Sequence, residues 1–219
     1  MRYKGISLSR TKVVNNILRL YSQVENTNFD WYANERNEVI DFIFSNINNT
    51  FVKGIANTLI PKYLGVVAAF SPLKSWEENK KIAELYLLTG RLKHTKAQGA
   101  KATAILNSGG RDAEILDILR GQKICSFYMN LRHVQDDQYV TIDRHACCIA
   151  MGVRFPQSEQ LTMTSGQYAF FTECYILAAQ KIGIRPSLLQ SLTWEYFRTN
   201  KTILPRLRAN YKKFKKHVS

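Results

Sequence analysis

Apolar positions along this chain recur at the three- and four-residue spacing of helices that bury one face. Val13, Val14, Ile17, Leu18 and Leu20 mark the first such segment, Lys12 to Ser22, which Asn26-Thr27-Asn28 breaks. A second opens at Asp30-Trp31-Tyr32 and carries Val39, Ile40, Phe42 and Ile43 towards Asn46, with Asn48-Asn49-Thr50 as the loop behind it. Phe51 to Leu59 is amphipathic again and is expected to stop before Pro61. Tyr63 to Phe70 is almost continuously apolar, which suits a buried strand or a buried helix; its Gly and Ala content favours a helix approached closely by its neighbours. Ser71-Pro72 ends it, because the residue before a proline is pushed out of the α region.

Ser75 then predicts an N-cap, with Glu78 three positions on to complete a capping box, and the helix runs to Leu88 before Thr89-Gly90 closes it. Arg91 to Ala97 is a polar, basic connector with Lys93, His94 and Lys96. An Ala-rich helix follows over Gln98 to Leu106, and Asp112 is expected to cap a short helix bearing Ile115, Leu116, Ile118 and Leu119. Arg120-Gly121-Gln122 reads as a tight turn, and a further helix opens at Lys123. A loop rich in Asp and Gln leads to a β-like Tyr139 to Ile142 and then to Asp143, which opens a short helix ending at Gly152. Thr164-Ser165 caps a long helix, Gln167 to Ile182, and Pro186-Ser187 opens the last, Leu188 to Arg198. The pattern predicts an all-α fold of about eight to ten helices with no internal repeat.

At 219 residues, 45% hydrophobic and 22% charged, the chain can bury a substantial core and reads as globular rather than disordered. Charge changes the picture more. Its 31 Lys and Arg against 17 Asp and Glu leave a formal +14, which points to a polyanionic partner, nucleic acid before an anionic membrane. MRYKGISLSRTK lacks the apolar core of a secretion signal, and no run reaches the ~18 apolar residues of a spanning helix, so a cytoplasmic, intracellular location without a membrane partner is expected. Cys125, Cys147, Cys148 and Cys174 form no C-x-x-C pair, so no zinc or iron–sulfur site is indicated and buried reduced thiols are expected. The tail from Lys201 to Ser219 sets seven Lys or Arg residues around Tyr211 and Phe214, a composition suited to nucleic acid but also to a solvated terminus.

Candidate chemistry concentrates between Ile115 and Ala146. Helix, Gly-containing turn and helix make a unit in which backbone amides can approach a phosphate. The order of turn, Lys123 and an apolar helix with Asn130-Leu131, followed by Val140-Thr141-Ile142-Asp143-Arg144-His145-Ala146, resembles the helix-hairpin-helix DNA glycosylase superfamily. Members of that family carry a Gly/Pro-rich hairpin with a Lys, then an Asp opening the next helix; here Asp143 follows Lys123 by 20 positions. Ala68 to Pro72 with the helix from Ser75 resembles the family's helix–loop–helix that supplies wedge residues, placing Lys74, Trp76 and Asn79 at DNA. The resemblance covers Val66 to Met151 and is nearest to small phage and bacterial members without an iron–sulfur cluster. The family hairpin is L-P-G-x-G-x-K, whereas Leu119-Arg120-Gly121-Gln122-Lys123 is two residues shorter and has one Gly fewer.

The resemblance implies two helical subdomains with a cleft between them. Residues 60–138 would form the central one, with the hairpin at about 112–131, and residues 1–59 with 139–219 the other. It implies a DNA glycosylase with associated lyase activity, acting without a cofactor or obligate protein partner on double-stranded DNA with a flipped nucleotide, in the nucleoid or in a phage-infected cell. Breaking the C1′–N bond passes through an oxocarbenium-like transition state, which a carboxylate such as Asp143 stabilises. A Lys amine that is partly desolvated or near other cations, as Lys123 would be beside Arg120, attacks C1′ and forms a Schiff base. Arg120, Gly121 and Gln122 would approach the backbone, Arg144 would contact phosphate or lie on the surface, and His145 would line the cleft or bond its own helix. Trp76 would be wedge or core. Two alternatives remain: an enzyme that hypermodifies a base in DNA on the same scaffold, and a binding module that no longer cuts, for which the shortened hairpin would be evidence.

Overall fold

The first seven residues form a hairpin that the hydrophobic pattern does not announce. Arg2–Tyr3 (β1) and Ile6–Ser7 (β2) pair antiparallel across Lys4-Gly5, whose φ values of 49° and 80° are both left-handed. Two residues of positive φ match the twist of the flanking strands, so Lys-Gly takes the part usually given to Asn-Gly. The computed structural model describes residues 1–25, 27–46 and 52–206, with the backbone alone over 52–57. The expected loop at 48–50, residue 51 and the tail beyond Arg206 lie outside the described residues.

All other regular structure among the described residues is helical: α1 (Arg10–Tyr21), α2 (Trp31–Asn46), α3 (Val52–Phe70), α4 (Trp76–Thr89), α5 (Lys96–Asn107), α6 (Asp112–Leu119), α7 (Gln122–Arg132), α8 (Arg144–Met151), α9 (Ser165–Ile182) and α10 (Pro186–Thr199). Tyr139 to Ile142 lies in no helix and joins no sheet. The chain divides into two compact units, Met1–Trp31 with Gln135–Ser219, and Tyr32–Val134. The expected division at 59/60 is corrected by α3, which spans that point and continues through Pro61. Proline removes one backbone donor from the helix, but Leu64 and Val66 to Phe70 beyond it are each at most 3% exposed, and their burial holds the segment helical.

In the unit that holds both termini, α1, α8, α9 and α10 close over a core that includes Tyr3, Val13, Ile17, Ile149, Phe171, Tyr175 and Phe197. Tyr3 meets Phe171 edge to face at 5.5 Å, which explains why the hairpin is retained: it delivers an aromatic ring to the core. Asn16 Nδ2 donates to Ala150 O at 3.0 Å, tying α1 to the end of α8.

In the other unit α3 is the axis, packed by α4, α5, α6 and α7. A Cβ on Gly65 would stand 3.0 Å from both Ile105 Cγ2 and Ile115 Cγ2, so its missing side chain sets how closely α5 and α6 approach. Asp112 does not cap α6 as expected; Arg111 is the cap residue, without a side-chain bond. Tyr128 Oη donates instead to Asp112 Oδ1 at 2.5 Å, and His133 Nε2 lies 2.7 Å from Oδ2. Burial alone would raise the Asp112 carboxyl, but Tyr128, His133 and Arg132 together hold it below its usual value. The α5–α6 turn depends on Gly110 at φ +81°, where a Cβ would fall 2.8 Å from Thr58 O. Gly110→Ala should therefore destabilise this unit by about 2 kcal/mol in urea titration, from left-handed strain and a clash with backbone that cannot step aside.

Candidate functional site

A tyrosine from another helix holds the segment before Asp143. Tyr168 Oη on α9 donates to Val140 O at 2.9 Å and accepts from Ile142 N at 3.1 Å, so strand-like residues are pinned without a strand partner. The chain then turns into α8 at Asp143, the N-cap. Asp143 Oδ1 accepts from Ala146 N at 2.8 Å, and Oδ2 accepts from the Trp194 indole Nε1 at 2.8 Å. Both oxygens are thus oriented while the residue stays partly open to solvent. Trp194, on α10, is a partner that no local sequence pattern marks.

His145 lies one step further along α8, its ring 5.5 Å from Trp194 and 5.4 Å from Phe197. Its Nδ1 is buried and has no partner among the described residues. Burial pushes the imidazole below its usual value; Asp143 opposes this, and Arg154, Arg144 and Arg198 add to the lowering. His145 is therefore neutral at pH 7 and sits among rings and cations.

Arg144 spends its guanidinium inside the chain. It donates to Glu159 O at 2.6 Å, to Phe155 O at 3.3 Å and to Pro156 O, clamping the loop after α8. Of its two expected roles, neither the surface charge nor the phosphate contact is what these bonds describe. Arg154, which sequence reasoning did not single out, does the same on the other side: it donates to Phe197 O and Asn200 O and lies 3.6 Å over the Phe197 ring.

The hairpin candidates belong to the Tyr32–Val134 unit. α6 and α7 are joined by Arg120 at φ 50° and Gly121 at φ 84°, and a Cβ on Gly121 would meet nothing within 4 Å, so the turn faces open space. Arg120 Nε donates back to Asp117 O at 3.1 Å. Gln122 and Lys123 are exposed in the first turn of α7. The Lys123 side chain is exposed and makes no ion pair or hydrogen bond with described residues.

The candidates before and within α4 take separate roles. Ser75 Oγ accepts from Glu78 N at 3.3 Å, but Glu78 pairs with Lys74 rather than completing the box. Trp76 is half-buried, edge to face with Phe127 at 6.1 Å and beneath Lys80 Nζ at 5.5 Å. Asn79 is 1% exposed and its Nδ2 donates to Val67 O at 3.1 Å, so it fastens α4 to α3 and is no wedge.

All four cysteines are free; burial pushes the Cys147 thiol up to about 12 and Cys174 up to about 11. No group of three or more metal-ligating side chains occurs among the described residues, and no described helix is long and apolar enough to cross a membrane. No curated protein and no solved structure matches the chain. Its residues 2–201 match the family model of DUF7178, so the chain belongs to that family, a family of unknown function.

Proposed function

We propose that this protein binds duplex DNA and releases a base from it, with Asp143 stabilising the sugar cation and Lys123 supplying the amine. The observation that carries the reading is the Asp143 carboxylate, oriented by Ala146 N and Trp194 Nε1 at 2.8 Å each and still reachable by solvent. A preoriented carboxylate is what a developing oxocarbenium ion requires, because no reorganisation is then needed as charge appears. The formal +14 charge supplies attraction to phosphate, and the outward-facing Arg120-Gly121 turn presents the amides that start α7. The target nucleotide is everted from the duplex for this chemistry. The Lys123 amine gives up a proton and bonds to C1′ while the C1′–N electron pair leaves with the base, which takes up a proton. Opening of C1′–O4′ then gives an iminium that borohydride reduces.

Borohydride trapping on duplexes carrying damaged or modified bases tests this. Wild type should form a covalent adduct, and Lys123→Ala should lose it while keeping its affinity for DNA; an undiminished adduct in that variant removes Lys123 from the chemistry. A second reading, a scaffold that binds DNA without cutting, is favoured by the exposure of Lys123 and by the structural bonds on both Asp143 oxygens. Salt-sensitive binding with no product would support it. An altered base still joined to its sugar would favour base modification instead.

A further inference from the structure

Among the described residues, half-buried arginines find partners with one exception. Arg144 and Arg154 donate to backbone carbonyls, Arg185 pairs with Asp30, and Arg132 Nε lies 3.5 Å from Asp112 Oδ1. Arg36, on α2, makes no ion pair or hydrogen bond with described residues, and its Nε is shut off from water. It stands one turn beyond Tyr32, whose ring lies 6.2 Å from Phe127 on α7. Arg132 ends that same helix, and it is the charged group that Arg36 meets. Burial first, and Arg132 after it, push the Arg36 guanidinium below its usual value. The nearby carboxylates are committed elsewhere. Glu35 and Glu38 turn to Lys80 at 3.2 and 2.6 Å. Asp112 is engaged by Tyr128 and His133 and stands off from Arg132 Nε, which is also buried without a hydrogen bond. A lysine or histidine so placed could shed its proton, but a guanidinium stays charged at physiological pH. Such a charge, partly withdrawn from water, is costly unless an anion answers it.

We infer that Arg36 and Arg132 form a binding site for a terminal phosphate group, on the Tyr32–Val134 unit where α2 runs beside α7. Each guanidinium presents paired N–H donors that match two oxygens of one tetrahedral anion. A terminal phosphate has three free oxygens and close to two negative charges, enough to serve both forks. A carboxylate or a phosphodiester has two free oxygens and one charge, which leaves one fork short. Both arginines remain partly exposed, so the anion enters from solvent, and Nε completes the fork as the side chain adjusts. Inorganic phosphate and the phosphate at a nucleic-acid strand end present the same oxygens. The site uses neither Lys123 nor Asp143 and does not depend on base release.

The test titrates the full chain, labelled with nitrogen-15, with inorganic phosphate while chloride holds the ionic strength constant. The Nε–H signals of Arg36 and Arg132 should shift together and saturate, and the urea midpoint should rise in step. Arg36→Met keeps the apolar stem without the charge. It should bind phosphate about 10- to 100-fold more weakly, the worth of one charged hydrogen-bonding group, and lose most of the rise. In chloride alone it should be no less stable than wild type, because an unanswered charge is gone. Arg36→Lys, with the charge but not the fork, should bind between the two. Equal stabilisation of wild type and Arg36→Met by phosphate overturns the inference, since an excluded salt acts in that way. So does a loss of stability in Arg36→Met without phosphate, which would give Arg36 a role inside the fold. Competition by a 5′-phosphorylated duplex but not by the unphosphorylated one upholds the site and assigns it to a strand end. Competition by neither upholds it for free phosphate, and equal competition by both overturns the choice of a terminal group.

Discussion

Lys80→Met should cost the Tyr32–Val134 unit about 3 kcal/mol near neutral pH, and the cost should shrink as pH falls. Lys80 Nζ lies 2.6 Å from Glu38 Oε2, 3.2 Å from Glu35 Oε2 and 3.5 Å from Glu77 Oε1, joining α2 to α4. Its side chain is 15% exposed and that of Glu35 is 11%, so the pair is largely withdrawn from water and exceeds the small worth of a surface bridge. Burial already raises the Glu35 carboxyl above its usual value, although a Trp76 hydrogen bond and Lys80 pull it down. Without the ammonium it rises further, because burial and Glu38 then face less opposition. A carboxyl whose folded value exceeds its unfolded one binds a proton more readily when folded, so its penalty is felt at high pH and relieved as pH drops through the folded value. Urea titrations across pH 4 to 8 (roughly the span of a raised carboxyl), followed by tryptophan fluorescence, check the sign. A difference from wild type that stays constant with pH would exclude this account. Adding Glu35→Gln to the lysine variant should recover most of the loss, since the stranded charge is then gone.

That four-residue ion cluster, with Lys80 and Glu35 45 positions apart, is the kind of contact that sequence spacing hides. Helix ends were legible where their chemistry is local: Ser75, Asp143 and Thr164 cap through their own oxygens, and Gly90 and Gly152 take the left-handed C-cap. Each decision involves residues three or four apart, which sequence spacing displays. Pro61 was misread because propensity was weighed without the burial that outweighs it. Asp112 was misread for a related reason: Tyr128 and His133, 16 and 21 residues onward, draw its carboxylate away from the helix start. Thr95, read as connector, caps α5, since its Oγ1 accepts from Gln98 N where no apolar rhythm had yet begun.

The candidate site was legible at its centre and not around it. Asp143 before an apolar run is visible to anyone reading caps. Its indole partner stands 51 positions later and could be found only by folding the chain. Arg144 read as a phosphate contact or a surface charge because sequence shows a charge but not the three carbonyls it donates to. Trp76 and Asn79 drew attention as wedges by position, whereas Trp76 is half-buried, Asn79 is buried, and the exposed apolar residue just before them is Leu73, which any hydrophobic pattern assigns to a core. Sequence patterning ranks apolar residues by burial, so an apolar residue placed deliberately in water is the kind it misses.

Asp143 both holds α8 and is proposed to meet the sugar, and a pair of substitutions separates these roles. In Asp143→Asn the remaining oxygen can face Ala146 N or Trp194 Nε1 but not both. Either the helix loses its cap or two N–H groups confront each other, at about 2 to 3 kcal/mol. Trp194→Phe removes the competing donor, so in the double variant the asparagine oxygen can return to the cap. Stability should then exceed the sum of the single effects by about 1 to 2 kcal/mol, the signature of direct coupling. Base release should behave otherwise. Neutralising a carboxylate that stabilises the sugar cation should slow release about 10²- to 10³-fold, as removal of one preoriented electrostatic partner does, and the double variant should stay slow although refolded. Single-turnover release and urea titration on the same four proteins give both readings. If the double variant regains stability and release together, Asp143 serves α8 alone and the sugar cation must find its counter-charge elsewhere.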